Sequence, residues 1–121
     1  MRLSEHFTLG EFDCKGRAKG ICDCTTPTIP NELLEVLEDV REHFGKPVRV
    51  YSGYRCEDYN RYVGGAKRSK HKLGIASDIA VDTIKPSHVQ SYVLNKYKDK
   101  YGIGKYVNFT HIDIRSTKAR W

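Results

Sequence analysis

Apolar side chains at Leu33, Leu37, Val40 and Phe44, widened by Leu34, recur at helical spacing and predict a helix over residues 30–44. Pro30 suits its first turn, Glu32 and Glu35 complement the positive end of the dipole, and Gly45 with Pro47 stop it. The period then drops to two. Val48-Arg49-Val50-Tyr51 is a short β-rich run ending at the turn signal Ser52-Gly53. Residues 57–63 suit one or two helical turns closed by Gly64-Gly65, and 66–74 read as a loop. Residues 75–81 read as a strand, with Asp78, Ala80 and Asp82 on one side and Ile79 and Val81 on the other. Pro86 opens a second helix carrying Val89, Tyr92, Val93 and Tyr97, and the glycines of 101–104 predict a turn. The final strand, 106–115, puts Phe109, His111, Asp113 and Arg115 on one face and Thr110, Ile112 and Ile114 on the other.

Residues 1–28 show no sustained period. Phe7, Leu9 and Phe12 offer apolar anchors, interrupted by Gly10, Gly16, Gly20 and Pro27, as in an irregular N-terminal wrap over a core. The order of elements contains no βαβ repeat, so the expectation is an α+β domain built on a small, mostly antiparallel sheet flanked by helices. The 121 residues fit a single domain, 1–121.

Charge and cysteine content narrow the chemistry. A net charge of +6 serves solubility and also favours a polyanionic partner: nucleic acid, an anionic membrane surface or bacterial wall polymer. A sequence-specific nucleic-acid role lacks a recognition motif and interleaved basic and aromatic repeats. No stretch approaches the roughly 20 apolar residues of a membrane span. The first residues lack the apolar core of a secretory signal, so synthesis in the cytoplasm without a Sec signal is expected. Cys14, Cys22, Cys24 and Cys56 cluster in the first half. Cys22 and Cys24 are closer than usual zinc-knuckle spacing, yet the four leave open a structural zinc site, disulfides or free thiols.

The candidate chemistry lies in Ser69-Lys70-His71-Lys72-Leu73-Gly74-Ile75-Ala76-Ser77-Asp78 and in Thr110-His111-Ile112-Asp113-Ile114-Arg115. If the two strands pair, Asp78 and His111 share a sheet face and the preceding loop swings His71 over them, with Gly74 allowing the tight path. Two imidazoles and a carboxylate suffice for catalytic zinc, with a fourth position left for water. His6, His43 and His88 lack any supporting pattern.

Ser52-Gly53-Tyr54-Arg55, Asn60, Gly64-Gly65-Ala66, Ser69-x-His71-x-x-Gly74-x-Ala76-x-Asp78 and Phe109-x-His111-x-Asp113-x-Arg115 resemble, in this order, the M15 zinc peptidases. That family includes D-Ala-D-Ala carboxypeptidases and phage or cellular murein endopeptidases of the hedgehog/DD-peptidase fold, and Ala119-Arg120-Trp121 resembles the tail of its short, single-domain branch. The resemblance implies zinc on His71, Asp78 and His111, and a stem-peptide carboxylate or carbonyl oxygen on Arg55, whose other role would be a structural ion pair. Ser69 would bind substrate or shape the loop; Tyr54, Tyr106 and Phe109 would line a groove or pack in the core. Lys67, Lys70 and Lys72 would attract anionic wall polymer or only solvate their loop. Many relatives carry an acid three residues before the last histidine, where this chain has Asn108. Asp113 is then the candidate general base, with orientation of His111 or Arg115 as its other role. The implied function is zinc-dependent hydrolysis of a peptidoglycan peptide bond by a monomer, as in a phage or prophage endolysin, after release or delivery to the wall. The alternative is a non-catalytic, zinc-containing wall-binding module of the same fold.

Overall fold

Helix α2 (Asn31–Phe44) forms where the sequence predicts it, with Pro30 just outside as the cap and Gly45 in the left-handed conformation at its end. Its Leu33, Leu34, Val36, Leu37 and Val40 are buried. They pack with Ile79, Val81, Ile103 and Ile112 of the sheet and with Val89 and Val93 of a second long helix. A computed structural model describes residues 1–121. In chain order the elements are α1 (Leu9–Phe12), α2, β1 (Val48–Ser52), α3 (Glu57–Tyr62), a 3-10 turn (Lys70–Leu73), β2 (Ala76–Val81), α4 (Pro86–Lys96), β3 (Gly102–Lys105), β4 (Thr110–Asp113) and β5 (Ala119–Arg120).

The five strands form one sheet in the order β1-β2-β4-β3-β5, antiparallel except for the β3–β5 pair. This is the expected α+β architecture. Alternation decides which residue goes where: Ile79, Ile103 and Ile112 enter the core, while their neighbours Asp78, Gly102, Gly104, His111 and Asp113 take the opposite face. No helix is long and apolar enough to cross a membrane.

The segment 101–104 departs from the sequence reading. It is a strand, not a turn, and the chain reverses at 106–109 instead. Glycine in a strand marks a close approach. A Cβ on Gly102 would overlap the Asp113 carboxylate, and one on Gly104 would stand 2.5 Å from the Trp121 indole. The predicted final strand is correspondingly shorter, and β5 adds an edge strand that two residues could not announce.

The N-terminal wrap carries one helical turn, α1, yet it is anchored as expected through buried Phe7 and Phe12. It is pinned to α2 by Glu38, which accepts hydrogen bonds from the Ser4 hydroxyl and the His6 amide and pairs with the His6 ring. The Tyr54 amide donates to the Phe12 carbonyl at 2.7 Å, so the wrap abuts the segment leading to Arg55.

Candidate metal centre

The pairing of β2 with β4 sets Asp78 directly opposite His111. His71 arrives from the 3-10 turn, whose start is capped by the Ser69 hydroxyl accepting from the His71 amide at 3.2 Å and whose end turns at Gly74, φ 73°. All three are at least nine-tenths buried. Asp78 Oδ1 lies 3.2 Å from His71 Nε2 and 3.0 Å from His111 Nδ1, so one oxygen and two ring nitrogens converge.

The outer ring nitrogens are also held. His71 Nδ1 meets the Gly53 carbonyl at 2.7 Å, and His111 Nε2 meets Asp113 Oδ2 at 2.7 Å. An acceptor on the outer nitrogen fixes the tautomer that turns a lone pair inward, the arrangement found behind metal-ligating histidines. The donor set therefore fits a divalent metal such as zinc. Charge agrees. Burial opposes ionisation of Asp78, but the two imidazoles outweigh it and bring its pKa down to about 2. Burial also disfavours a charged His111, yet Asp113 and Asp78 on either side raise its pKa.

The centre opens into a cleft of about 570 Å³. Arg55, Arg68, Lys70 and Arg115 line it, and Asp78 is the one carboxylate in its walls. Arg55 is aimed by a cradle: Nε–H donates to the Ser52 hydroxyl at 3.0 Å, one terminal nitrogen to Asn60 Oδ1 at 3.2 Å, and the other faces Asp78 Oδ2 at 3.4 Å. Gly65 keeps this cradle open, since a Cβ there would overlap the Asn60 amide. Tyr106 stacks on Phe109 with ring centroids 4.4 Å apart and accepts a hydrogen bond from Trp121 Nε1 at 2.8 Å. Trp121 lies against both His111 and Arg115.

His71, Asp78, His111, Arg55, Ser69, Tyr106 and Phe109 are thus brought together at one cleft. Asp113 is not part of its lining. Its side chain is fully buried behind His111, with Nε and Nη2 of Arg115 donating to its two oxygens at 2.8 and 2.7 Å. Arg115 and His111 engage both of its oxygens and hold its pKa well below the usual range despite burial, a geometry that suits the second of its two expected roles, orientation of His111. Tyr54 also leaves the groove, and burial beside the four cysteines raises its phenol pKa. Sequence reasoning missed Asn60 as the prop of Arg55 and Trp121 as a cleft wall. The glycines at 65, 102 and 104 were the available signal for both kinds of close approach.

Two buried histidines and an aspartate at the foot of a cationic cleft form a donor set able to hold a divalent metal. The sequence profile of the family described as Peptidase M15 matches residues 5–113. The chain belongs to the M15 peptidase family. It is also similar to the peptidoglycan L,D-endopeptidase MepK of Escherichia coli (strain K12) and to that of Shigella flexneri, each 37% identical over 73 residues. The match takes in 56% of this chain and 40% of each relative, so the chain spans less than half the length of the relatives it matches.

Proposed function

We propose that this chain is a zinc-dependent peptidase that hydrolyses a peptide bond in the stem peptides or cross-links of bacterial peptidoglycan. The observation that carries the reading is the convergence of His71 Nε2, Asp78 Oδ1 and His111 Nδ1 beside Arg55 at the foot of the cleft. Relatives named as peptidoglycan endopeptidases support the substrate class, and the excess of cations in the cleft suits a stem peptide rich in carboxylates. The reading places the action at the bacterial wall, by a monomer reached through release or delivery.

His71, Asp78 and His111 would hold the zinc. When bound, zinc supplies a Lewis acid for the scissile carbonyl and activates water near neutral pH. The remaining work belongs to this chain's own groups. Arg55 sits beside the metal ligands with its guanidinium fixed by Ser52 and Asn60, and it binds a substrate carboxylate or the developing oxyanion by charge-assisted hydrogen bonds. Arg115, held by Asp113, presents a second cation to the same cleft. Tyr106, Phe109 and Trp121 supply an apolar side against which a peptide lies with less exposure to water.

One observation favours a second reading. Asp78 is the sole carboxylate in the cleft, and Asn108 stands where many M15 relatives carry an acid. A zinc-holding wall-binding module would need no proton acceptor there. Mass spectrometry of purified sacculi separates the two. Zinc-loaded wild type is expected to release peptide fragments that His71→Ala does not, and the fragments identify an endopeptidase or a carboxypeptidase. Binding to sacculi with one bound zinc and no fragments at any pH would establish the module instead.

A further inference from the structure

Away from the cleft, the four cysteines of the chain meet in space. Cys14 Sγ lies 3.8 Å from Cys22 Sγ and 3.8 Å from Cys56 Sγ, and Cys22 Sγ lies 3.6 Å from Cys24 Sγ. All four sulfurs fall within 4.8 Å of one another. None is joined to another in a disulfide. Four sulfurs placed tetrahedrally at a zinc–sulfur distance of about 2.3 Å would be separated by about 3.8 Å, the spacing seen along these three edges.

The surroundings are built for that cluster. Three cysteines come from an irregular stretch between Phe12 and Ile29 that gives no other side chain to the hydrophobic core, while the fourth caps α3. The Tyr59 amide donates to Cys56 Sγ at 3.4 Å. Gly16 is required beside the cluster, because a Cβ there would stand 2.7 Å from Cys22 Sγ. Arg17 lies against Cys24, and its Nε is buried without any acceptor. Arg17 pairs with Asp13 through Nη2, and a metal held by four thiolates carries net negative charge that would face the Nε Asp13 leaves unbonded.

We propose that Cys14, Cys22, Cys24 and Cys56 form a structural metal site that binds one zinc ion through four thiolate sulfurs. Each thiol gives up its proton to solvent on binding, and the closed sulfur shell leaves no position for substrate. Such a site ties the wrap to α3, and Cys56 follows Arg55 directly, so it also fixes the segment that carries the cleft's cation. The short Cys22-x-Cys24 spacing does not prevent this, because the two flanking ligands come from different parts of the chain.

Cobalt(II) replacement tests the site on the wild-type chain. Protein purified without oxygen, stripped with a chelator and reloaded with cobalt(II) should show intense thiolate-to-cobalt charge-transfer absorption. The histidine–aspartate centre cannot produce that band, having no sulfur. His71→Ala should retain the band and lose one metal equivalent. Cys22→Ser with Cys24→Ser should lose the band, and in zinc-loaded wild type a thiol reagent should react slowly until zinc is released. Absence of the band in wild type overturns the proposal. So does prompt reaction of all four thiols with zinc present, or a native mass lowered by the hydrogens lost in disulfides. Failure of the peptidase reading would leave the band untouched, so the two failures are distinguishable.

Discussion

Asp113 meets the candidate metal centre at a single nitrogen. Its Oδ2 holds His111 Nε2 at 2.7 Å while Arg115 occupies the rest of the carboxylate. Removing the charge should leave the ligand set intact and let the imidazole lose its orientation. Asp113→Asn is expected to weaken zinc binding by about 10–100-fold, measured by competition with a chromophoric chelator. Unchanged affinity with abolished hydrolysis would return Asp113 to the role of base. At this scale the convergence of His71, Asp78 and His111 was legible in sequence, because they lie in short motifs whose strand parity can be counted. The neighbours of Arg55 were not. Asn60 reaches it from a separate helix, and Gly65 matters only through the atom it lacks. Distances of that kind depend on how loops close, which periodicity does not encode.

Among the elements, α2 and α4 are joined by one carboxylate. The Asp39 side chain accepts hydrogen bonds from the hydroxyls of Tyr92 and Tyr97 and from Lys96. Burial pushes its pKa up, but Lys96 and the two phenols more than offset this, and the net shift is downward. A carboxylate whose folded pKa lies below its unfolded value stabilises the fold above the unfolded pKa, near 4, and that contribution disappears as pH falls through the folded pKa. Asp39→Asn should therefore cost about 1–3 kcal/mol at neutral pH. The gap to wild type should close in strong acid, a trend that urea titrations at several pH values would reveal. A gap independent of pH would mean that the charge is not what joins the helices. The two long helices were readable from their apolar stripes and prolines. Strand β3 was not, because its glycines mimic a turn while serving Asp113 and Trp121. The ladder also slips between Val50 and Ser52. That irregularity brings Ser52 opposite Asp78 and its hydroxyl under the Arg55 guanidinium, a placement that strict alternation would have denied.

For the molecule as a whole, the net charge of +6 predicts salt-sensitive action on an anionic polymer. Screening becomes severe once the Debye length falls to about 10 Å at 0.1 M salt. Release of fragments from sacculi should slow as sodium chloride rises, while cleavage of a short neutral peptide should change little. Equal salt responses for the two substrates would remove electrostatic capture from the account. The fold class was legible because helix and strand periods separate cleanly after residue 30, but the wrap's purpose was not, since it acts through backbone. Phe12 offers its carbonyl to Tyr54 and presses so near Gly53 that no Cβ fits between them. The Gly53 carbonyl in turn faces His71 Nδ1. A fragment trimmed to start at α2 would therefore retain His71, Asp78, His111 and all five strands, yet lose three of the four cysteines and the buttress that sets the angle of the first histidine. The angle of the first candidate ligand is thus set by the least regular part of the chain, and the useful boundary for any shortened version lies upstream of Phe7.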